Sequence, residues 1–197
     1  MSQPLLCYNE RQNGDVKQVM NITVYLGASV GKDHIYKEKT IELAEWIAAN
    51  SHILIYGGSN VGLMGVLADK VLERGAKAYG IIPDFLQKRE IAHENLTGLQ
   101  VVEDMDERKA LMMEEGDALI ALPGGPGTLE EISEAISWAR VGKNPKPCIL
   151  FNIDGYYDFL RAQFDHMVSQ GFLTQTDREK ILFSDNLEEI ARFIAHY

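Results

Sequence analysis

Short apolar runs alternate with longer segments of helical spacing along this chain, and that alternation constrains the fold more than any other feature. The runs at 52–56 and 118–122 read HILIY and ALIAL, which is typical of strands buried on both faces of a sheet. Strands that alternate with helices predict a parallel sheet covered by helices on both faces. Because the crossovers in such sheets are right-handed, we expect a doubly wound, Rossmann-like α/β fold.

Hydrophobic periodicity and turn residues locate the individual elements. We predict strands at 21–26, 52–56, 78–82, 99–103, 118–122 and 147–152. We predict helices at 34–50, 61–74, 104–116, 128–141 and 156–169, followed by short helical patterns near 176–182 and 186–196. The polar segment 83–98 is predicted to be irregular.

The length of the chain favours one domain. It has 197 residues, of which 46% are hydrophobic, and this is enough for a well-formed core. Residues 1–20 are polar and mostly aperiodic, so we expect a loose lead-in there. Because no repeat or linker interrupts the rest, we predict that 21–197 form a single nucleotide-binding, Rossmann-like domain.

Charge and cysteine content narrow the range of partners. The net charge of −10 argues against a nucleic-acid partner, since binding a phosphate backbone needs a basic face. A small anion can still bind, because backbone N–H groups and a helix terminus hold it without net positive charge. Cys7 and Cys148 form no Cys-x-x-Cys motif, so we expect neither a disulfide framework nor a zinc site. With no signal-peptide pattern and no long apolar run, the chain is expected to be cytoplasmic, with no membrane partner.

Three glycine-rich turns follow predicted strands. They are Gly27-Ala28-Ser29, Gly57-Gly58 and the glycines of 124–127. In doubly wound sheets the ligand crevice lies beyond the carboxyl ends of the strands, where all three turns fall. The first two are either plain strand-to-helix turns or part of the crevice lining. Neither has the spacing of a phosphate loop or of a dinucleotide-binding fingerprint.

The third turn, LPGGPGTLEE at 122–131, combines glycines with two carboxylates. The glycines permit positive φ, so bare backbone N–H groups can converge on an anion at the positive end of the next helix. The alternative is an ordinary glycine-rich connection. Glu131 completes a Thr-x-x-Glu capping box with Thr128, or it addresses the part of a ligand beyond its phosphate. Glu130 either complements the helix dipole or lines the ligand site.

Arg108 and Lys109 open a predicted helix at the same rim of the crevice. Cations near a helix N-terminus oppose its dipole, so local stability does not explain them. They form either a solvated charged face or, through Arg108, a partner for an anionic ligand or a catalytic carboxylate. The histidines show no spacing typical of a catalytic triad or a metal cluster.

Two of these motifs together resemble a known family. PGGPGTLEE matches the pattern P-G-G-x-G-T-x-x-E, and MDERK at 105–109 matches M-x-x-R-K. At this separation they resemble the Lonely Guy (LOG) family of cytokinin riboside 5′-monophosphate phosphoribohydrolases, which are often mislabelled as lysine decarboxylases. The similarity runs from about residue 21 through nearly the whole chain, with YGGSNVGLMG, SWARVGKNPKP and FNIDGYYDFL in order.

The resemblance implies hydrolysis of the N-glycosidic bond of a nucleoside 5′-monophosphate, either AMP or an N6-modified cytokinin riboside monophosphate. The products would be a free base and ribose 5-phosphate, with no metal or other cofactor, and the enzyme would be a homodimer. By motif match, Arg108 and Glu131 would be the catalytic pair. The residues expected to bind substrate are Gly27, Ser29, Gly57, Gly58, Glu94, Lys109, Gly124, Gly125, Gly127, Thr128, Glu130 and Ser137.

The resemblance has local departures and leaves a rival function. His93 replaces the usual Gly before Glu94, Ala28 replaces a Ser of the first turn, and Ser137 stands where plant members carry Thr. A related group with this fold binds molybdenum cofactor, so a non-catalytic nucleotide or molybdenum-cofactor carrier is the alternative. Lysine decarboxylation would need pyridoxal phosphate on a lysine, and no lysine here is singled out by its context.

Overall fold

A computed structural model describes residues 18–87 and 92–197, which form a seven-stranded, all-parallel sheet between two layers of helices. This confirms the predicted doubly wound α/β class. The strands are β1 (Asn21–Tyr25), β2 (Ile53–Tyr56), β3 (Lys77–Pro83), β4 (Gly98–Val102), β5 (Ala118–Ala121), β6 (Cys148–Phe151) and β7 (Ile181–Ser184). The helices are α1 (Ile35–Ala49), α2 (Gly62–Glu73), α3 (Asp84–Gln87), α4 (Met105–Glu115), α5 (Pro126–Arg140), α6 (Asp158–Ser169), α7 (Gln175–Glu179) and α8 (Leu187–His196).

Alternating side chains of the central strands build a core on each face of the sheet. Ile22 and Val24 of β1 pack with α1, α2 and α8 on one face. Tyr25 and the β5 residues Leu119 and Ala121 pack with α4, α5 and α6 on the other. Because both faces are covered, β5 is buried along its whole length, as its uninterrupted apolar run predicts.

The strand order is β4-β3-β2-β1-β5-β6-β7. The chain moves outward from β1 to β4 and then crosses back to place β5 on the other side of β1. The order therefore reverses between β1 and β5, and this is where ligands bind in doubly wound sheets. In the described part of the chain, no helix combines the length and apolar character needed to cross a membrane.

Three local predictions are wrong. Helix was predicted at 176–182, but α7 ends at Glu179 and β7 follows, with Ile181 paired to Cys148 of β6. The run is too short for its period to distinguish strand from helix, and the open edge of β6 selects the strand. The segment 83–98 is not fully irregular, because Pro83 ends β3, Asp84–Gln87 form the short helix α3 and Gly98 begins β4. Helix α5 begins before its predicted start. Of the predicted lead-in, residues 1–17 lie outside the described residues, as do 88–91.

Candidate active site

Helix α5 begins at Pro126, two residues earlier than predicted, with Gly125 as its N-cap. The Gly125 carbonyl accepts a hydrogen bond from the Leu129 N–H at 3.2 Å, as an N-cap carbonyl should. Thr128 therefore lies within the first turn and is not the cap. The capping-box interpretation of Glu131 is wrong for this reason, since the box requires Thr128 at the N-cap.

The glycines before and within α5 are not needed for left-handed backbone, contrary to the sequence-based expectation. None of Gly124, Gly125 and Gly127 has positive φ, whereas Gly58 does, at 74°. At Gly124 a Cβ atom would lie 2.2 Å from Oγ1 of Thr128, so close packing requires the glycine. At Gly125 and Gly127 a Cβ atom would meet nothing within 4 Å among the described residues. The positive end of α5 is therefore open to an approaching anion.

A cleft of about 450 Å³ lies above the strand ends at the point where the strand order reverses. The predicted residues Gly27, Ser29, Gly124 and Gly125 line it. The turn after β1 is in contact with the turn after β5, because a Cβ atom at Gly27 would lie 3.3 Å from Cα of Gly124. Tyr36 and Tyr156, which were not predicted, complete one wall of the cleft, and their rings meet edge to face at 5.8 Å.

Arg108 and Glu131 meet on the face of the sheet that carries α4 and α5. Both are buried, at 7% and 8% exposure, and Nη2 of Arg108 lies 3.9 Å from Oε1 of Glu131. Asp104 caps α4 by accepting hydrogen bonds from two N–H groups of its first turn, and so fixes the start of the helix that carries Arg108. Within the described chain, no atom accepts a hydrogen bond from the buried Nε of Arg108.

The Arg108–Glu131 arrangement costs more folding free energy than a purely structural pair should. A buried guanidinium with an unsatisfied N–H costs about 1–3 kcal/mol or more. Such exceptions in native proteins concentrate at functional sites. Tyr25 lies in the same environment: burial raises the pKa of its hydroxyl, and the negative charge of Glu131 is the next contribution.

Glycine at position 57 makes room for Arg108. A Cβ atom there would lie 2.1 Å from Nη2 of Arg108, so the guanidinium occupies the space that a side chain would fill. Gly58, at φ 74°, directs its carbonyl to the N–H of His93, which donates at 3.0 Å. The predicted turn residues Gly57 and Gly58 thus contact the candidate catalytic arginine and the 92–95 segment respectively.

Lys109 and Glu130 pair with each other. Nζ of Lys109 lies 3.0 Å from Oε1 of Glu130 and 3.0 Å from Oε2 of Glu134, and a third carboxylate, Asp106, lies 3.4 Å away. Hydrogen bonding to Glu130 and then to Glu134 raises the pKa of Lys109. The pair bridges α4 and α5 at the rim of the site, next in sequence to Arg108 and Glu131.

His93 is a site neighbour that no sequence pattern identified. Its ring is almost fully buried; Nε2 lies 3.0 Å from Oδ1 of Asp69, and Nδ1 accepts a hydrogen bond from the Asn95 N–H at 3.2 Å. The carboxylate of Asp69 requires the Nε2–H tautomer, and that tautomer leaves Nδ1 as an acceptor. The exposed Glu94 therefore lies between His93 and Asn95, which are hydrogen-bonded to each other.

Ser137 is not brought to the cleft within one chain. It is exposed near the end of α5 and lines a separate apolar cavity of about 320 Å³ between α5 and α6. Large apolar side chains of α5, of α6 and of the segment after α6 are also exposed: Trp138 by 46%, Phe159 by 90% and Phe172 by 74%. Among the described residues, no group of three His, Cys, Asp or Glu side chains could hold a metal ion.

These features define a class of protein. It is a doubly wound α/β protein whose strand-end crevice combines the open N-terminus of α5 with a buried carboxylate–guanidinium pair.

Comparison with known proteins identifies the family. The family model described as "Possible lysine decarboxylase" matches residues 64–194. The chain is 40% identical to the cytokinin riboside 5′-monophosphate phosphoribohydrolase LOG3 of Arabidopsis thaliana, over 89% of this chain and 82% of that protein. It is 42% identical to the cytokinin riboside 5′-monophosphate phosphoribohydrolase of Rhodococcoides fascians, over 85% of each chain. The chain therefore belongs to the LOG family.

Solved structures share the fold at lower identity. The molybdenum cofactor carrier protein of Chlamydomonas reinhardtii superposes with a TM-score of 0.67 at 18% identity, over 91% of this chain and 99% of that one. The molybdenum cofactor binding protein of Rippkaea orientalis gives 0.64 at 22% identity, over 90% of this chain and 96% of that one. At these identities the likeness establishes the fold alone.

Proposed function

We propose that this protein hydrolyses the N-glycosidic bond of a nucleoside 5′-monophosphate and releases a free base and ribose 5-phosphate. The observation that carries the proposal is the buried Arg108–Glu131 pair, which lies one helical turn beyond the open N-terminus of α5. Relatives at 40% and 42% identity are named for this reaction. A carrier would need the anion site, but it has no use for a buried carboxylate beside it.

The substrate's phosphate would bind at the N–H groups of Gly125, Gly127 and Thr128, where the helix dipole favours negative charge. Gly27 and Ser29 lie across the same cleft and would line the nucleotide on the opposite side. Glu131 is four residues beyond Gly127, or about 6 Å along the helix axis. An anchored phosphate therefore brings the ribose of a small nucleotide towards the Glu131 carboxylate.

Glycosidic cleavage places positive charge on the ribosyl group as the bond from C1′ to the base nitrogen breaks. The Glu131 carboxylate stabilises that charge and accepts a proton from the attacking water. The water oxygen forms the new bond to C1′, and the base leaves with the bonding pair and takes up one proton, which balances the proton that Glu131 accepts from the water. Arg108 supplies the opposing charge that holds Glu131 in place, with Nη2 at 3.9 Å from Oε1.

Substituting Glu131 tests this function. Glu131→Gln should lower kcat for release of base from AMP or N6-isopentenyl AMP by about 10²–10⁴-fold, since it removes the charge and the base but keeps the shape. The affinity for nucleotide should change little. Glu114→Gln, which removes an exposed carboxylate from α4, serves as the charge control. Near-wild-type turnover in Glu131→Gln, or no base released from any monophosphate by the wild type, would refute the proposal.

A homodimer is part of the same proposal. Trp138 on α5, Phe159 on α6 and Phe172 after α6 are exposed apolar side chains, and such side chains mark interaction sites when they form a patch. Ser137 lines the separate cavity between α5 and α6, so a substrate contact from Ser137 would require a second copy. Sedimentation velocity measures the assembly state directly. A cytoplasmic location also stays a prediction, which cell fractionation tests.

A further inference from the structure

The turn after β6 aims two consecutive tyrosine hydroxyls at the chain that leaves β5. Tyr157 donates to the Leu122 carbonyl and Tyr156 to the Gly124 carbonyl, each at 2.6 Å. The turn has little freedom, because Asp154 is held in the left-handed region at φ 50°. The side-chain oxygen of Asn152 also accepts a hydrogen bond from the Tyr157 N–H at 2.7 Å.

The bond to Gly124 fixes more than one carbonyl. A trans peptide is planar, so the C=O of Gly124 and the N–H of Gly125 point in opposite directions. With the oxygen held by Tyr156, the Gly125 N–H must point away from the tyrosine. A rotation of this peptide by half a turn would instead present the carbonyl oxygen to the anion and repel it.

The glycine pair itself offers little resistance to that rotation. Glycine populates both signs of φ, and no described atom lies within 4 Å of where a Cβ of Gly125 would be. The Tyr156 hydroxyl supplies the missing restraint. Tyr157, by contrast, is buried and bonds to the residue that directly follows β5, which is a structural role.

We propose that Tyr156 is a positioning residue for the anion site, whose hydroxyl locks the 124–125 peptide with its N–H available to the substrate's phosphate. This inference rests on the proposed function, because it concerns the same site. Tyr156 is 43% exposed, so removing its hydroxyl should perturb the site without unfolding the protein.

The test is Tyr156→Phe, with Tyr197→Phe as the matched control because Tyr197 is also 43% exposed and packs on Phe193. Tyr156→Phe should raise KM for AMP by about 3–10-fold with kcat within about twofold, the effect of one lost hydrogen bond. Its Kd for ribose 5-phosphate, measured by calorimetry without turnover, should rise by the same factor. Tyr197→Phe should change neither constant.

Calorimetry separates this inference from the proposed reaction. If the wild type binds ribose 5-phosphate but releases no base, the proposed reaction is wrong. The ratio of the Kd of Tyr156→Phe to that of the wild type then still decides the role of Tyr156. An unchanged Kd in Tyr156→Phe overturns the inference, even if turnover is confirmed. A fall in kcat with unchanged KM also overturns it, because the hydroxyl would then act on the chemical step.

Discussion

Gly57→Ala tests whether the position of the Arg108 guanidinium matters for catalysis. The new Cβ would lie 2.1 Å from Nη2 of Arg108 and 3.1 Å from Sδ of Met64. An ordinary van der Waals contact of a Cβ atom begins at 3.4 Å, and Nη2 of Arg108 is much further inside that distance than Sδ of Met64. The guanidinium must therefore retreat by roughly 1.3 Å, and a displacement of this size costs on the order of 10²-fold in rate. We expect kcat for AMP cleavage to fall by that factor.

The fold should tolerate the change. Both clashing atoms are near the ends of flexible side chains, and Gly57 does not have the positive φ that would penalise alanine. We expect Kd for ribose 5-phosphate to stay within about threefold of the wild type, because the anion contacts are made elsewhere. Circular dichroism and thermal unfolding of the variant check that it is folded.

A double-mutant cycle with Arg108→Ala isolates the cause. If Gly57→Ala acts by displacing the guanidinium, it should have almost no further effect once Arg108 is alanine. A full 10²-fold loss in the Arg108→Ala background would refute the reasoning, because the damage would then come from the turn itself. Wild-type activity in Gly57→Ala alone would refute it equally.

Two further predictions concern buried groups outside the catalytic pair. His93→Ala removes two hydrogen-bonded contacts and should lower the free energy of unfolding, measured in urea, by about 1–3 kcal/mol. Asp69→Asn keeps an acceptor oxygen for His93 and should lower it by less than about 1 kcal/mol. Equal losses in the two variants would contradict this prediction. Burial raises the pKa of the Cys148 thiol to about 12, so in a Cys7→Ser background at about pH 8 a thiol reagent should label the protein only when urea unfolds it. Labelling of the native protein as fast as of the unfolded chain would show that Cys148 is accessible.

The sequence predicts the sheet and the position of the crevice well, because those depend on local patterns. The run ALIAL and the glycine turns identify strands and the ends of strands without knowledge of tertiary contacts. The strand β7 was missed for the opposite reason. Ile181–Ser184 is too short to show a period, and its pairing with β6 decides its conformation.

Several of the residues predicted for the site lie together in the structure, but their arrangement was predicted only in part. The capping-box alternative for Glu131 depended on where α5 begins, and a proline inside the glycine turn moved that start to Pro126. The partnership of Lys109 with Glu130 and Glu134 spans two helices, so no sequence spacing could reveal it. His93 and Tyr156 were missed because their contacts join segments that are remote along the chain.

Because β5 lies beside β1, the site can form only after β5 has been synthesised. Strand β1 pairs with β2, the next strand in the chain, but its other neighbour, β5, is synthesised much later. The glycines of the third turn and Glu131 follow later still, and Tyr156 reaches Gly124 only after β6 is made. A nascent chain that has emerged only as far as β4 therefore lacks the N-terminus of α5 and Glu131. Substrate bound at the proposed site could therefore stabilise the fold only once β5, a strand remote in sequence, has paired with β1.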